Sequence, residues 1–231
     1  MLRSVKGGSM TKIIAFEGID GTGKSVQMQR LSETLKSRGY KVKEISFPMY
    51  GTFFGEIVGR YLSAKDGIAA NTVDGKSMAL WFALDRFEAF RHFDYSDADV
   101  LLINRYVLSN AVYQSIRDID IDKPDILDFC LALEHEHFGI PVPDLHLVLD
   151  MDTESAAENV DKKGFREYIG NARDVYESID SIQTRARKKY AEYANRIPNV
   201  KMILCSENGV LLPIDEIAKR IEAVVLPALG L

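Results

Sequence analysis

Short, nearly continuous apolar runs alternate along the chain with longer segments whose apolar residues recur every three or four positions. The short runs are typical of buried β-strands, and the longer segments are typical of amphipathic helices. The runs predicted to be strands are residues 12–17, 40–46, 99–104, 145–150 and 200–205. The segments predicted to be helices are residues 24–38, 52–63, 74–94, 107–117, 123–138, 153–161, 172–195 and 213–226. Because strands and helices alternate, the pattern predicts an α/β fold in which helices cover both faces of a parallel sheet.

The chain carries no internal repeat, low-complexity stretch or linker, so residues 10–231 are predicted to form one domain. Residues 1–9 lack the apolar core of a signal peptide and are interpreted as an artificial leader ahead of a natural start at Met10. A polar stretch at about residues 160–170 is the best candidate for a small lid.

A glycine-rich segment, GIDGTGKS at residues 18–25, lies between the first predicted strand and the first predicted helix. The backbone N–H groups of such a turn, together with the helix dipole, bind phosphate groups. Lys24 would reach the terminal phosphates of a nucleotide, and the Ser25 hydroxyl would ligate Mg²⁺. The residues predicted to hold the phosphates are Gly18, Asp20, Gly21, Thr22, Gly23, Lys24, Ser25 and Val26. An incidental glycine-rich turn is the less favoured interpretation, because both the strand and the helix flank the segment.

Composition narrows the function classes. The chain has 231 residues, of which 46% are hydrophobic and 27% charged, and its net charge of −5 argues against a general nucleic-acid binder. No apolar run approaches the roughly 18 residues that a membrane-spanning helix needs, so no membrane partner is expected. Cys130 and Cys205 are isolated and predict reduced thiols in a cytoplasmic protein. His135 and His137 are two apart on a predicted helix and therefore point to different faces, which disfavours a shared metal.

Four further segments combine aromatic and polar residues: FPMYG at 47–51, LWFALDRF at 80–87, NRYVLSNAVYQ at 104–114 and ARDVYE at 172–177. Together with FEGIDG at 16–21, they resemble the thymidylate kinase family, segment by segment and in the same order, over nearly the whole of residues 10–231. The phosphate loop alone is shared by many unrelated ATPases, so the specific part of the resemblance is the spacing of the other segments.

The resemblance implies a three-layer P-loop kinase fold with a five-stranded parallel sheet, flanking helices and a small lid. It implies ATP-dependent phosphorylation of dTMP to dTDP with Mg²⁺, in a homodimer. The residues implied to be catalytic are Lys24, Arg105, Asp20 and Arg166. The residues implied to bind the acceptor nucleotide are Phe47, Pro48, Tyr50, Phe82, Arg86, Arg105, Ser109, Asn110, Tyr113, Gln114, Asp174 and Tyr176.

Within that set, the resemblance gives individual roles to a few residues. Phe82 would stack on the thymine ring, and Arg86 and Asn110 would hydrogen-bond the polar edge of that ring. Tyr113 would lie beneath the sugar and disfavour a ribose, and Arg105 would hold the phosphate of the acceptor.

Three positions depart from the family pattern. Asn104 stands where an Asp is usual, Met49 where an Arg is usual, and Asn159 where an Arg that stacks on adenine is usual. These departures leave two alternatives open: a kinase for another deoxynucleoside monophosphate such as dUMP, and a nucleotide-binding homologue with weak catalysis. A switch or motor ATPase is a third class, which the aromatic acceptor segments disfavour. In this family, a phosphate loop with glycine at the position of Gly21 occurs together with a catalytic arginine that the lid supplies. Arg166 would fill that role.

Overall fold

A computed structural model describes residues 11–64, 67–117, 124–161, 180–207 and 209–230. Its central strands are β1 Lys12–Glu17, β2 Val42–Ser46, β3 Val100–Asn104, β4 Leu145–Asp150 and β5 Val200–Leu204. They form one parallel sheet in the order β2-β3-β1-β4-β5. The apolar runs therefore gave each central strand to within two residues. A short antiparallel pair, β6 Ser206–Glu207 and β7 Val210–Leu211, follows the sheet and was not predicted.

The described helices are α1 Lys24–Ser37, α2 Phe53–Leu62, α3 Gly75–His92, α4 Val107–Arg117, α5 Leu127–Leu131, α6 Thr153–Asp161, α7 Asp180–Arg196 and α8 Ile214–Ala228. A 3-10 turn at Ala70–Thr72 precedes α3. The predicted helix at 123–138 is only partly α-helical, because α5 continues directly into a π-helical segment at Ala132–His137. Of the predicted helix at 172–195, the part before residue 180 lies outside the described residues.

Helices lie on both faces of the sheet. Helices α1 and α8 pack on each other, whereas α2 packs on α3, α3 on α4 and α4 on α7. Right-handed connections between parallel strands place these two groups on opposite faces. This confirms the three-layer α/β prediction.

Of the proposed lid, residues 162–170 lie outside the described residues. In the part of the chain that the structure describes, every helix is too short or too polar to cross a membrane.

The sheet brings distant parts of the chain to one edge. Because the strands are parallel, the loops that follow β1, β2, β3 and β4 all leave from the same edge. In the register of the sheet, Asn104 at the end of β3 lies opposite Phe16 of β1 and Ser46 of β2. The phosphate loop, the FPMYG segment and the NRY segment therefore meet at this edge.

Candidate active site

Helix α6, which precedes the proposed lid, packs directly against the phosphate loop. Gly21 has a φ of 83°, and a Cβ atom added there would lie 1.9 Å from the backbone oxygen of Ala156 in α6. Asn159, one turn further along α6, donates from Nδ2 to the backbone oxygen of Gly21 at 3.1 Å. Only glycine allows α6 to lie this close to the loop.

Lys24, the first residue of α1, folds back over the phosphate loop. Its Nζ donates to the backbone oxygens of Ile19 at 2.7 Å and Gly18 at 3.0 Å. Thr22 is buried and its Oγ1 donates to the oxygen of Ile19 at 3.0 Å, so this hydroxyl shapes the loop from inside. Ser25 is exposed beside Lys24, and its Oγ accepts from Asn104 Nδ2 at 3.3 Å. The loop thus presents an ammonium, a hydroxyl and a helix N-terminus together.

Asp20 joins the phosphate loop to the NRYVLSNAVYQ segment and to helix α7. Its carboxylate accepts from Arg105 Nη2, from Tyr113 Oη at 3.3 Å and from Gln183 Nε2 at 3.1 Å. Gln183 Oε1 in turn accepts from the backbone N of Asp20 at 3.3 Å and from Tyr113 Oη at 3.1 Å. Gln183 was not predicted as a site residue, because it lies on a predicted helix without any motif around it.

The negative charge of Asp20 raises the pKa of both Arg105 and Tyr113. Burial acts to lower the pKa of the Arg105 guanidinium, but the Asp20 carboxylate, together with smaller contributions from Tyr113, Tyr190 and Glu17, outweighs burial and raises the pKa well above its usual value. Burial, and then the charge of Asp20, raise the pKa of Tyr113. Arg105 is therefore a permanent cation and Tyr113 a neutral hydrogen-bond donor. Arg105 also has a φ of 60°, an uncommon conformation for a residue other than glycine, and its backbone N donates to Phe16 O at 2.9 Å.

The FPMYG segment packs against helix α3. Phe47 is buried, and its ring centroid lies 5.9 Å from the Phe90 centroid and 5.9 Å from the guanidinium carbon of Arg86. Pro48 follows through a cis peptide bond, and the next residue, Met49, donates its backbone N–H to Asp85 Oδ2 at 3.0 Å. Asp85 on α3 thus anchors the segment, and its burial raises the pKa of its carboxyl.

Arg86 and Asn110 share one partner, Glu134 of the π-helical segment. Arg86 donates to Glu134 from Nε at 2.5 Å and from Nη2 at 2.7 Å. Asn110 Nδ2 donates to Glu134 Oε1 at 2.9 Å and to the backbone oxygen of Ala79 at 3.1 Å. Arg86 is 2% exposed and Glu134 is fully buried. Burial acts to lower the pKa of Arg86, but the charge and hydrogen bonds of Glu134, together with the charge of Asp85, outweigh burial and raise the pKa.

Comparison with known proteins identifies the family. A family model described as Thymidylate kinase matches residues 16–214. The chain belongs to the thymidylate kinase family. It is therefore a nucleoside monophosphate kinase, which confirms the resemblance seen in the sequence.

Relatives cover most of this chain. The thymidylate kinase of Mycobacterium tuberculosis is 33% identical over 185 residues, which cover 79% of this chain and 85% of the relative. The probable thymidylate kinase of Methanococcus aeolicus is 30% identical over 219 residues, which cover 92% of this chain and 94% of the relative.

Solved structures show the same fold. The thymidylate kinase structure from Candida albicans aligns with a TM-score of 0.68 at 22% identity, and covers 94% of this chain and 92% of its own. The thymidylate kinase structure from Ehrlichia chaffeensis aligns with a TM-score of 0.63 at 23% identity, and covers 93% of this chain and 98% of its own.

The positions that depart from the family pattern have structural partners here. Asn159 supports the phosphate loop through Gly21. Met49 is half-buried and packs against the core. Asn104 donates to Ser25, while its Oδ1 is buried without a hydrogen-bond partner among the described residues.

Other predicted site residues are half-buried at the edge of the core or held by polar contacts within it. Phe82, one turn before Arg86 on α3, and Tyr50 are both half-buried at the edge of the core. Ser109 is buried, and its Oγ donates a hydrogen bond to the Glu17 carboxylate. Gln114 accepts from Arg117 Nη1 at 2.8 Å. The predicted residues Arg166, Asp174 and Tyr176 lie outside the described residues. The substrate roles assigned to all of these residues stay predictions.

Proposed function

We propose that this protein transfers the γ-phosphoryl group of ATP to dTMP, which yields ADP and dTDP. The geometry of Arg86 and Asn110 is the observation that supports the acceptor most directly. Arg86 can only donate hydrogen bonds, and Asn110 Oδ1 is a buried acceptor without a partner among the described residues. A donor beside an acceptor complements thymine, whose O4 accepts and whose N3–H donates. Cytosine presents the reverse order, with a donating N4 amino group and an accepting N3.

We take the space between the phosphate loop and the NRY segment as the nucleotide cleft, and its two sides supply the charges that phosphoryl transfer requires. Such a transfer depends mainly on holding both phosphates in line and neutralising their charge. We assign Lys24 and the N-terminus of α1 to the phosphates of ATP, and Arg105 to the phosphate of dTMP. The planar guanidinium of Arg105 suits this role because it binds phosphate oxygens through two parallel hydrogen bonds. Asp20 would hold Arg105 in place between the two nucleotides.

The residues at the start of α1 fit Mg²⁺. Magnesium is usually held by one or two protein oxygens, and substrate phosphates and water supply the remaining ligands. Ser25 is exposed at this point, and a second oxygen nearby is Asn104 Oδ1, which has no hydrogen-bond partner among the described residues. When bound, the ion would offset the negative charge of the ATP phosphates. Asn104 is neutral where the family usually has a carboxylate, so we expect this chain to hold the ion more weakly.

We further propose that the protein is a homodimer in the cytoplasm. Phe53 on α2 is 73% exposed and Leu80 on the adjacent α3 is 39% exposed, and a subunit contact on these two helices would cover both side chains. The buried free thiols of Cys130 and Cys205 suit a reducing compartment. Sedimentation of the purified protein would measure the oligomeric state.

A coupled assay of ADP release tests the proposed reaction. Each of dTMP, dUMP, dCMP and dGMP is offered in turn with ATP and Mg²⁺. We expect the highest kcat/KM with dTMP and little turnover with dCMP or dGMP. Equal turnover of dCMP would contradict the roles of Arg86 and Asn110. Binding of dTMP and ATP without ADP release would instead favour a nucleotide-binding homologue.

A further inference from the structure

Glu134 is the point where three segments of the acceptor side meet. It lies on the π-helical segment Ala132–His137, and its two oxygens accept hydrogen bonds from Arg86 on α3 and Asn110 on α4. π-helical turns are rare and occur frequently at functional sites. No motif in the sequence marks Glu134, and the resemblance to the family assigns it no role.

Glu134 fixes the orientation of the Arg86 guanidinium. Its carboxylate accepts from Nε and Nη2 together, a bidentate pair that sets both the position and the plane of the guanidinium. This contact uses one edge of the guanidinium, so the remaining N–H groups of its outer edge are directed away from Glu134.

Glu134 also fixes which way the Asn110 amide faces. Asn110 Nδ2 donates to Glu134 Oε1 and to Ala79 O, two atoms that can only accept. If the amide were reversed, its oxygen would face two other oxygens, so the reversed state is excluded. The same arrangement leaves Oδ1 as an acceptor, buried and unpaired among the described residues.

Stability alone is a weak reason for this ion pair. Burying two charges costs free energy, and well-packed apolar residues in place of a buried pair are often neutral or stabilising. Arg86 and Glu134 are 2% and 0% exposed, so the desolvation of both charges is nearly complete. A role in orienting Arg86 and Asn110 accounts for the pair better than a role in holding the fold together.

We propose that Glu134 is the positioning residue that sets the order of donor and acceptor presented to the acceptor base. Among pyrimidine nucleotides, it thereby restricts the acceptor to those whose base carries a carbonyl beside an N–H group, as in 4-keto pyrimidines, and disfavours cytosine. The inference rests on the proposed function, since it concerns selectivity within the same acceptor site.

The substitution Glu134→Gln tests the proposal. The Gln side chain has one oxygen instead of two, and its NH₂ group would face a donor of Arg86 or Asn110. We expect the KM for dTMP to rise at least about tenfold, as fits the loss of a charged hydrogen bond, while the KM for ATP changes less than about twofold. We also expect the ratio of kcat/KM for dTMP to that for dCMP to fall at least about tenfold. That ratio does not depend on how much of the variant is folded, because both substrates encounter the same active molecules.

Two further variants make the outcome decisive. Asp144→Asn is the control: Asp144 accepts from Lys12 Nζ at 2.7 Å and Ile13 N at 2.9 Å at the opposite edge of the sheet, so its loss should lower stability and leave the ratio unchanged. Glu134→Asp keeps the charge but shortens the side chain, and it carries the test if the Gln variant does not fold. Wild-type selectivity and wild-type KM for dTMP in a folded Glu134 variant would overturn the proposal. Absence of dTMP turnover by the wild-type protein would instead overturn the proposed function.

Discussion

At the scale of single residues, the positive side chains of the site already have partners. Lys24 contacts loop carbonyls, Arg105 contacts Asp20, and Arg86 contacts Glu134. Arg105, which Asp20 holds in place, needs little reorganisation when a charged substrate arrives, and this favours electrostatic stabilisation of the transferring phosphoryl group. Lys24 has to release the loop carbonyls to reach the phosphates. The contacts of Lys24 and Arg105 lie within the phosphate-loop motif, whereas the partner of Arg86, Glu134, lies outside every sequence motif.

Replacing Lys24 by Ala should abolish most of the activity. The variant would lose the ammonium that neutralises the phosphates of ATP, so we expect kcat to fall by a factor on the order of 100 or more, as for the loss of one stabilising group in a closed site. Steady-state rates of ADP release and the melting temperature measure activity and folding separately. Lys36→Ala on the same helix is the control, because its ion pair with Glu44 is half exposed and should contribute little. Near-normal turnover in the Lys24 variant would contradict its assignment.

At the scale of helices and strands, the hydrophobic pattern predicted the central sheet well. The inner strands β1, β3 and β4 are buried on both faces and appear in the sequence as apolar runs. The edge strands β2 and β5 are partly exposed and mix apolar with charged residues. The pattern could not distinguish α-helix from π-helix between residues 132 and 137, because both present similar apolar spacing. It also could not identify Glu134 or Gln183. Glu134 is 48 residues from Arg86, and Gln183 is 163 residues from Asp20, so only the fold brings these partners together.

Helix α2 packs so closely on the acceptor segment that Gly55 is required. A Cβ atom added at Gly55 would lie 1.8 Å from the backbone oxygen of Met49. We expect Gly55→Ala to displace α2 or the FPMYG segment and to destabilise the protein by about 1–3 kcal/mol, the usual cost of overpacking. It should also raise the KM for dTMP more than that for ATP. Gly51→Ala is the matched control, because no atom lies within 4 Å of its added Cβ. Equal melting temperatures and equal KM values for the two variants would refute this role.

Asp125 connects the start of α5 to α7 and should make their packing sensitive to acid. Its carboxylate accepts from Leu127 N at 2.8 Å and Tyr193 Oη at 2.7 Å, and Lys189 lies 3.3 Å away. Burial acts to raise the pKa of Asp125, but these hydrogen bonds and the Lys189 charge outweigh it and lower the pKa below its usual value.

A lowered pKa means that ionised Asp125 stabilises the folded state. This contribution is present above the unfolded-state pKa of about 3.9 and is lost as the pH falls through the folded-state pKa. Asp125→Asn should therefore unfold at lower denaturant than the wild type at pH 7, and the difference should shrink below about pH 4. Denaturant titrations at both pH values measure it. A difference that does not change with pH would contradict the ionic contribution.

At the scale of the whole molecule, one edge of the sheet brings together segments that are far apart in the sequence. The phosphate loop after β1, the FPMYG segment after β2 and the NRY segment after β3 share this edge, while α7 closes it through Gln183. The central claim is that ATP and dTMP meet there end to end, with their phosphates between Lys24 and Arg105.

A single ligand that contains both nucleosides tests this claim most directly. In a compound that joins adenosine and thymidine through five phosphates, one molecule would fill both halves of the cleft. Titration calorimetry with Mg²⁺ should give one ligand per chain, bound at least about tenfold more tightly than ATP or dTMP alone, because the second half binds intramolecularly. An excess of either ATP or dTMP should displace it. Two ligands per chain, or undiminished binding to protein saturated with dTMP, would contradict the account.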